Sequence, residues 1–164
     1  MEKSFIKNNL EKIVVNIGLG RLSSREGDFE NRLLPEILKE IILITGQRGQ
    51  VIRSKQAISG FKLRIGQVVG IRTTIRGSHA VDFLSRLINI VLPRIKDFRG
   101  LSPDSIDRGG VLNIGIKDKS IFPEIIPEES RVSFGLEVSI IPITRDRAKA
   151  LSFYEACRLP LKHG

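Results

Sequence analysis

From Ile41 to Val81 the chain carries no aspartate or glutamate, although seven Lys and Arg residues fall in that stretch (Arg48, Arg53, Lys55, Lys62, Arg64, Arg72 and Arg76). Other scarcities narrow the function further. The single cysteine, Cys157, excludes an intrachain disulfide; it lies in a helical pattern and reads as a small buried residue in a reducing compartment. Only two histidines occur, His79 and His163, and neither has a cysteine or acid at metal-ligand spacing. No nucleophile elbow, zinc-protease helix or phosphate-binding loop is present, so the residues point to no enzyme and no cofactor. No apolar run approaches the roughly 18 residues of a spanning helix, and the opening Met-Glu-Lys-Ser lacks the pattern of a signal peptide, so no membrane is expected.

What is present is positive charge. Lys and Arg number 27 against 18 acids, a net +9 over 164 residues with a pI near 10.1. Mixed charge suffices for solubility, whereas a field of one sign attracts a polyanion, and a pI this high is the electrostatic footprint of nucleic-acid binding. The centre of the acid-free stretch, Arg53 to Gly66, is small and polar, with neither helical nor strand periodicity. It reads as a long basic loop, a feature that is usually functional or disordered inside a compact domain. A solvated surface loop of a basic protein is the plain alternative.

Along the chain, strands and helices alternate. Leu10 to Leu19 is β-branched and places Ile13, Val15 and Ile17 on one face, so a strand is expected there. Gly18-Leu-Gly20 ends it as a plain strand exit: Ser23 stands where a dinucleotide fingerprint needs its third glycine, and no helix is expected directly afterwards. Apolar residues at 33, 34, 37, 38, 41 and 42 predict one helix over Asn31 to Ile44, with Pro35 in its first turn and Gly46 as its stop. Gln50 to Arg53 and Val68 to Ile75 read as strands flanking the loop. Ser78 is the expected cap, with Asp82 in the first turn, of a helix that Pro93 ends. Val111 to Ile116 and Phe134 to Ile143 read as strands joined by an acidic, proline-punctuated connection. Thr144 is the expected cap of a last helix, with Ala148, Leu151, Tyr154 and Cys157 inward. The order predicts an α+β fold: one domain over 1–164, with a mainly antiparallel sheet, helices on one face and a long basic loop.

The mode of RNA contact is constrained by another absence. The common sheet-based RNA readers stack bases on strand aromatics, and neither Leu10 to Leu19 nor Val68 to Ile75 has one. Those strands offer Asn16, Arg72, Thr73 and Thr74 instead, with Arg76 beside them, which suits hydrogen bonding to phosphates, 2′-hydroxyls and the shape of a folded RNA. Ordinary solvent-facing strand residues are the bland reading of the same positions.

Several motifs resemble the large-subunit ribosomal protein L5 family. They are Asn16-Ile-Gly-Leu-Gly20, Thr45-Gly-Gln47, Arg53-Ser-Lys-Gln-Ala-Ile-Ser-Gly-Phe-Lys62, Ile71-Arg-Thr-Thr-Ile-Arg-Gly77 and Leu92-Pro-Arg-Ile-Lys-Asp-Phe-Arg-Gly-Leu-Ser102, followed by Gly115-Ile-Lys and Ile121-Phe-Pro-Glu124. They fall in order over nearly the whole chain. The resemblance implies a structural, non-enzymatic constituent of the cytoplasmic ribosome, bound to large-subunit rRNA and to neighbouring large-subunit proteins. It implies that the protein binds 5S rRNA in the central protuberance, sends a basic loop to the P-site tRNA, and meets a small-subunit protein at a subunit bridge. On these positions it implies 5S rRNA contacts at Asn16, Gln47, Arg72, Thr74 and Arg76. The implied tRNA-facing loop residues are Arg53, Lys55, Gln56, Ser59, Gly60, Phe61, Lys62 and Arg64. Bridge surfaces are expected at Ser102 to Gly110 and Pro123 to Glu129. Family members usually begin with about twenty further residues forming an N-terminal helix; because this sequence starts just ahead of its first strand, that helix is expected to be missing, with Lys3, Lys7 and Lys12 compensating in part. The alternative class is a free-standing RNA-binding or RNA-modifying factor.

Overall fold

Side chains of a strand alternate between the two faces of a sheet, so a sheet covered on one side sorts its sequence by parity. The first strand, β1 (Leu10–Gly18), does so: Ile13, Val15 and Ile17 are buried, while Lys12, Val14 and Asn16 are only half-buried on the other face. The computed structural model describes residues 2–57, 59–61 and 63–163, with the side chain of Phe61 excepted. It continues with β2 (Gln50–Arg53), β3 (Val68–Ile75), β4 (Leu112–Ile116) and β5 (Leu136–Pro142), joined in the order β2-β3-β1-β5-β4. All four strand pairs are antiparallel. The fold is α+β, as the element order predicts, with β1 at the centre of the sheet.

Six helices are present among the described residues: α1 (Lys3–Asn9), α2 (Gly20–Arg25), α3 (Phe29–Arg32), α4 (Leu34–Thr45), α5 (Gly77–Arg86) and α6 (Arg147–Ala156). Their apolar residues form one core with Leu10, Ile13, Val15 and Ile17 of β1, Val68, Ile71 and Ile75 of β3, and the even-numbered apolar residues of β4 and β5. α4 buries Leu34, Ile37, Ile41 and Ile44, one stripe at helical spacing, and Gly46 ends it at φ +80°. At Gly70, Gly49 and Gly135 the sheet leaves no room for a side chain, the last because a Cβ would lie 2.8 Å from the Ile116 carbonyl oxygen. A Cβ on Gly70 would lie 2.5 Å from the Ile17 carbonyl oxygen across the β1–β3 pair, and one on Gly49 would lie 2.5 Å from Ile71 Cγ2.

The structure corrects several local expectations. The helix expected over 31–44 is two, because the chain turns at Leu33 and restarts with Pro35 near the N-terminus of α4, where its missing N–H is harmless. Ile42 lies off the buried stripe, 44% exposed beside Leu43. A helix does open directly after Gly18-Leu-Gly20: α2 begins at Gly20, held by Ser23 Oγ donating to the Val68 carbonyl (2.7 Å). It is only six residues long, and such a turn depends on tertiary contacts that periodicity does not reveal. Ser78 does not cap α5; Arg76 occupies the cap position without a side-chain bond, and Gly77 makes the corner at φ +64°. Asp82 lies past the first turn and pairs with Lys3 Nζ (3.2 Å), so Lys3 is engaged within the fold. α5 runs on through a π-helical turn, Leu87–Val91, and a 3-10 turn, Leu92–Arg94, that holds Pro93.

At the last helix the cap is Asp146, whose carboxylate accepts from the backbone N–H of Ala148 (2.8 Å) and Lys149 (3.2 Å); Thr144 bonds the Asp146 N–H one step earlier. That shift rotates the buried set to Ala150, Phe153, Tyr154 and Cys157, leaving Ala148 exposed and Leu151 half-buried. The Tyr154 hydroxyl lies 2.6 Å from the Gly110 carbonyl oxygen and 3.0 Å from that of Ile140, tying α6 to the sheet. Burial pushes the Cys157 thiol up to about 11, which leaves it protonated and unreactive at neutral pH.

Candidate nucleic-acid interface

The face of the sheet turned away from the helices is polar, and register fixes which residues stand side by side. Asn16 is the direct partner of Arg72 on β3 and of Glu137 on β5. Arg72 in turn faces Gln50, and Glu137 faces Gly115. One row therefore crosses all five strands: Gln50, Arg72, Asn16, Glu137, Gly115. The next row carries Thr74, Val14, Ser139 and Asn113, with Ser139 Oγ donating to Asn113 Oδ1 (2.8 Å).

Most of the polar residues singled out from the sequence gather here. Arg72 Nε donates to Asn16 Oδ1 (3.2 Å), which orients both side chains across the strand pair. Gln47, half-buried just beyond α4, donates its amide to the Thr74 carbonyl (2.5 Å) and so holds the end of β3. Arg76 is exposed at the end of that strand. Thr73 is the exception: it is 2% exposed on the helix side, between Ile71 and Ile75, and its hydroxyl has no partner among the described residues. Near Arg76, the Glu11 carboxyl is held below the usual carboxylate range chiefly by a hydrogen bond from Arg145, with the charges of Arg145, Lys12 and Arg76 adding to it against a desolvation penalty.

At one corner the β2–β3 hairpin runs out into the basic loop. Its base is closed by backbone bonds, Ser54 N–H to the Gln67 carbonyl and Gly66 N–H to the Ser54 carbonyl, both 2.8 Å. Gln67 reaches back to α2, its amide donating to Ser23 (2.9 Å) and Ser24 (2.8 Å). Arg53 is not an unneutralised charge. Its guanidinium grips Glu30 of α3 with two bonds, 2.7 and 3.1 Å, and donates a third to the Gly66 carbonyl (3.1 Å). This pairing holds the Glu30 carboxyl below its ordinary value and raises the Arg53 guanidinium above its own. Arg53 is thus a clamp at the foot of the loop, while Lys55, Gln56, Ser59, Gly60 and Arg64 are exposed on it. Lys62 and the side chain of Phe61 lie outside the described residues. Ile65, 74% exposed, adds an apolar contact point.

Sequence reasoning missed three members of this surface. Gln50 was legible as a polar position of a strand. Glu137 and Gly115 were not, because only the long-range register puts them beside Asn16.

The acidic connection between β4 and β5 forms a separate surface on the helix layer. Lys119, 3% exposed, ties it to α4 by an ion pair with Glu40 and donates to Ser130 Oγ (2.6 Å). Arg86 of α5 pairs with Glu124 from the same connection. Glu128 and Glu129 remain exposed. Among the described residues no helix is long and apolar enough to cross a membrane, and no group of three or more His, Cys, Asp or Glu could hold a metal ion.

A bare polar sheet face with a one-signed loop at its corner defines a nucleic-acid-binding α+β protein. Comparison with known proteins gives the family. Residues 7–64 match the model described as ribosomal protein L5, and residues 68–161 match the model for the C-terminus of the same family. The large ribosomal subunit protein uL5 of Pseudothermotoga lettingae is 40% identical over 153 residues, covering 93% of this chain and 81% of the relative. Its counterpart from Thermus aquaticus is 39% identical over the same shares of both chains. The uL5c protein of Stigeoclonium helveticum is 39% identical over 99% of this chain and 90% of its own. The chain belongs to the ribosomal protein L5 family and is a structural, RNA-binding constituent of the large ribosomal subunit.

Proposed function

We propose that the open sheet face binds 5S rRNA and helps attach it in the central protuberance. Asn16, Arg72, Thr74 and Arg76 make the contacts, and Gln47 fixes the strand that carries two of them. The observation that carries this reading is the row through Arg72 and Asn16: short, oriented polar groups on a rigid sheet, with Arg72 exposed. Such groups meet a folded RNA without an ordering penalty. The loop of residues 53–66 extends towards the P-site tRNA, with Lys55, Lys62 and Arg64 as its charges and Arg53 as its foot.

The test is a titration of 5S rRNA with the purified protein from low to high salt. Each neutralised phosphate releases counterions, giving a log-log slope of roughly 0.7 to 0.9 per contact. Arg76→Ala is expected to weaken binding and lower that slope by about one contact. An affinity indifferent to salt, or wild-type binding by a folded Arg76→Ala variant, would refute the assignment.

The acidic connection suits a basic protein better than it suits phosphate, and residues 123–129, with the separate loop 102–110 as a second candidate, would form the subunit-bridge surface. Reversing charge at Glu128 and Glu129 is expected to weaken association of the two ribosomal subunits. Sucrose-gradient profiles unchanged by that double reversal would remove the idea.

A further inference from the structure

Glu137 is an anomaly on a surface meant for RNA. It is exposed in the polar row between Asn16 and Gly115, and no cation or hydrogen-bond donor engages it among the described residues. A carboxylate there repels phosphate, so it fits only an RNA group that donates hydrogen bonds. Its surroundings narrow the choice. It lines a shallow groove together with Asn16, Gly18, Gly115, Lys117 and Gly135. A Cβ on Gly18 or Gly115 would meet nothing within 4 Å, so the groove is open because those residues bring no side chain to it.

Asn16 stands on the adjacent strand, directly opposite Glu137 and about 5 Å away by strand spacing. Its side-chain carbonyl accepts from Arg72 Nε, which leaves its –NH2 as a free donor. A carboxylate with two acceptor oxygens next to an amide donor is the complement of one nucleobase edge. Guanine presents N1–H and N2–H side by side, followed by the O6 acceptor. Cytosine and uracil lack two adjacent donors, and adenine offers one amino group beside an acceptor.

We infer that Glu137 and Asn16 together read the Watson–Crick edge of an unpaired guanine laid in this groove: Glu137 accepts from N1–H and N2–H, and Asn16 donates to O6. This deepens the RNA-binding reading of the sheet face and rests on it. Specific RNA recognition targets unpaired bases through that edge, and here hydrogen bonding replaces the aromatic stacking that the strands cannot supply.

Kethoxal, which reacts with guanine at N1 and N2, reports on this edge, while hydroxyl-radical cleavage reports on the backbone. Both are applied to 5S rRNA alone and with saturating full-length wild-type, Glu137→Gln or Asn16→Ala protein. The wild type is expected to protect an unpaired guanine from kethoxal. Glu137→Gln, an exposed and nearly isosteric change, is expected to restore its reactivity, keep the backbone footprint and weaken binding about tenfold or more. A backbone footprint with no guanine protected, protection that survives Glu137→Gln, or tighter binding by that variant would overturn the inference and leave the 5S assignment standing. No footprint of either kind would overturn both.

Discussion

Lys119→Ala is expected to destabilise the protein by about 3 to 5 kcal/mol, because removing one partner of a buried ion pair leaves the other uncompensated. Lys119 is 3% exposed and its partner Glu40 has 16% of its side chain exposed, so little water reaches the carboxylate that is left behind. The ammonium also donates to Ser130 Oγ (2.6 Å) and lies 4.4 Å from the centre of the Phe134 ring. The denaturation midpoint in urea should fall while the slope stays near wild type. The double variant Lys119→Met with Glu40→Leu should recover much of the loss, since an apolar pair of similar volume replaces a buried ion pair at little penalty. A single variant within about 0.5 kcal/mol of wild type would show that the pair is merely a surface contact.

Deleting residues 55–64 and bridging with glycines is expected to divide the two proposed RNA partners. The closure of the loop survives the deletion, because Arg53, Ser54, Gly66 and Gln67 with their bonds to Glu30, Ser23 and Ser24 remain. Affinity for 5S rRNA should stay within about twofold of wild type, while tRNA binding to the P site of ribosomes carrying the variant should weaken about tenfold, as Lys55, Lys62 and Arg64 are lost. No change in either assay would mark the loop as inert. Loss of 5S binding with tRNA unaffected would show that the loop serves the other RNA.

How far the sequence carries the argument depends on the distance over which each feature is decided. Strands β1, β2 and β3 were legible because alternation is local, and α4 because its apolar stripe repeats every turn. α1, α2 and α3 were not: each is too short for a period to develop, and their ends are set by packing on the sheet. Thr144 and Asp146 are both competent caps two residues apart, and only the backbone path selects the second. At the site, Arg72, Thr74 and Asn16 follow from strand position, whereas Thr73 sits in the core because it shares parity with Ile71 and Ile75. Arg53 looked unneutralised because Glu30 is 23 residues away along the chain. Glu137 became visible only when register placed β5 beside β1.

The parity of the sheet has a consequence for how such a chain can change over generations. From Lys12 to Ile17 on β1 and from Ile71 to Ile75 on β3 the even-numbered residues look outward and the odd-numbered ones hold the core; on β4 and β5 the assignment is reversed. Two inheritances therefore run interleaved through the same few dozen codons, one answering to folding and the other to whatever the open face meets. A substitution touches one of them and leaves the other alone, so either can drift without renegotiating its partner. A single-residue insertion or deletion within a strand exchanges the two at a stroke, turning isoleucines outward and burying Asn16 and Arg72. Within each set the strands can exchange like residues for like, Gly70 excepted, while holding fast in length, so changes of length are better borne by the loops.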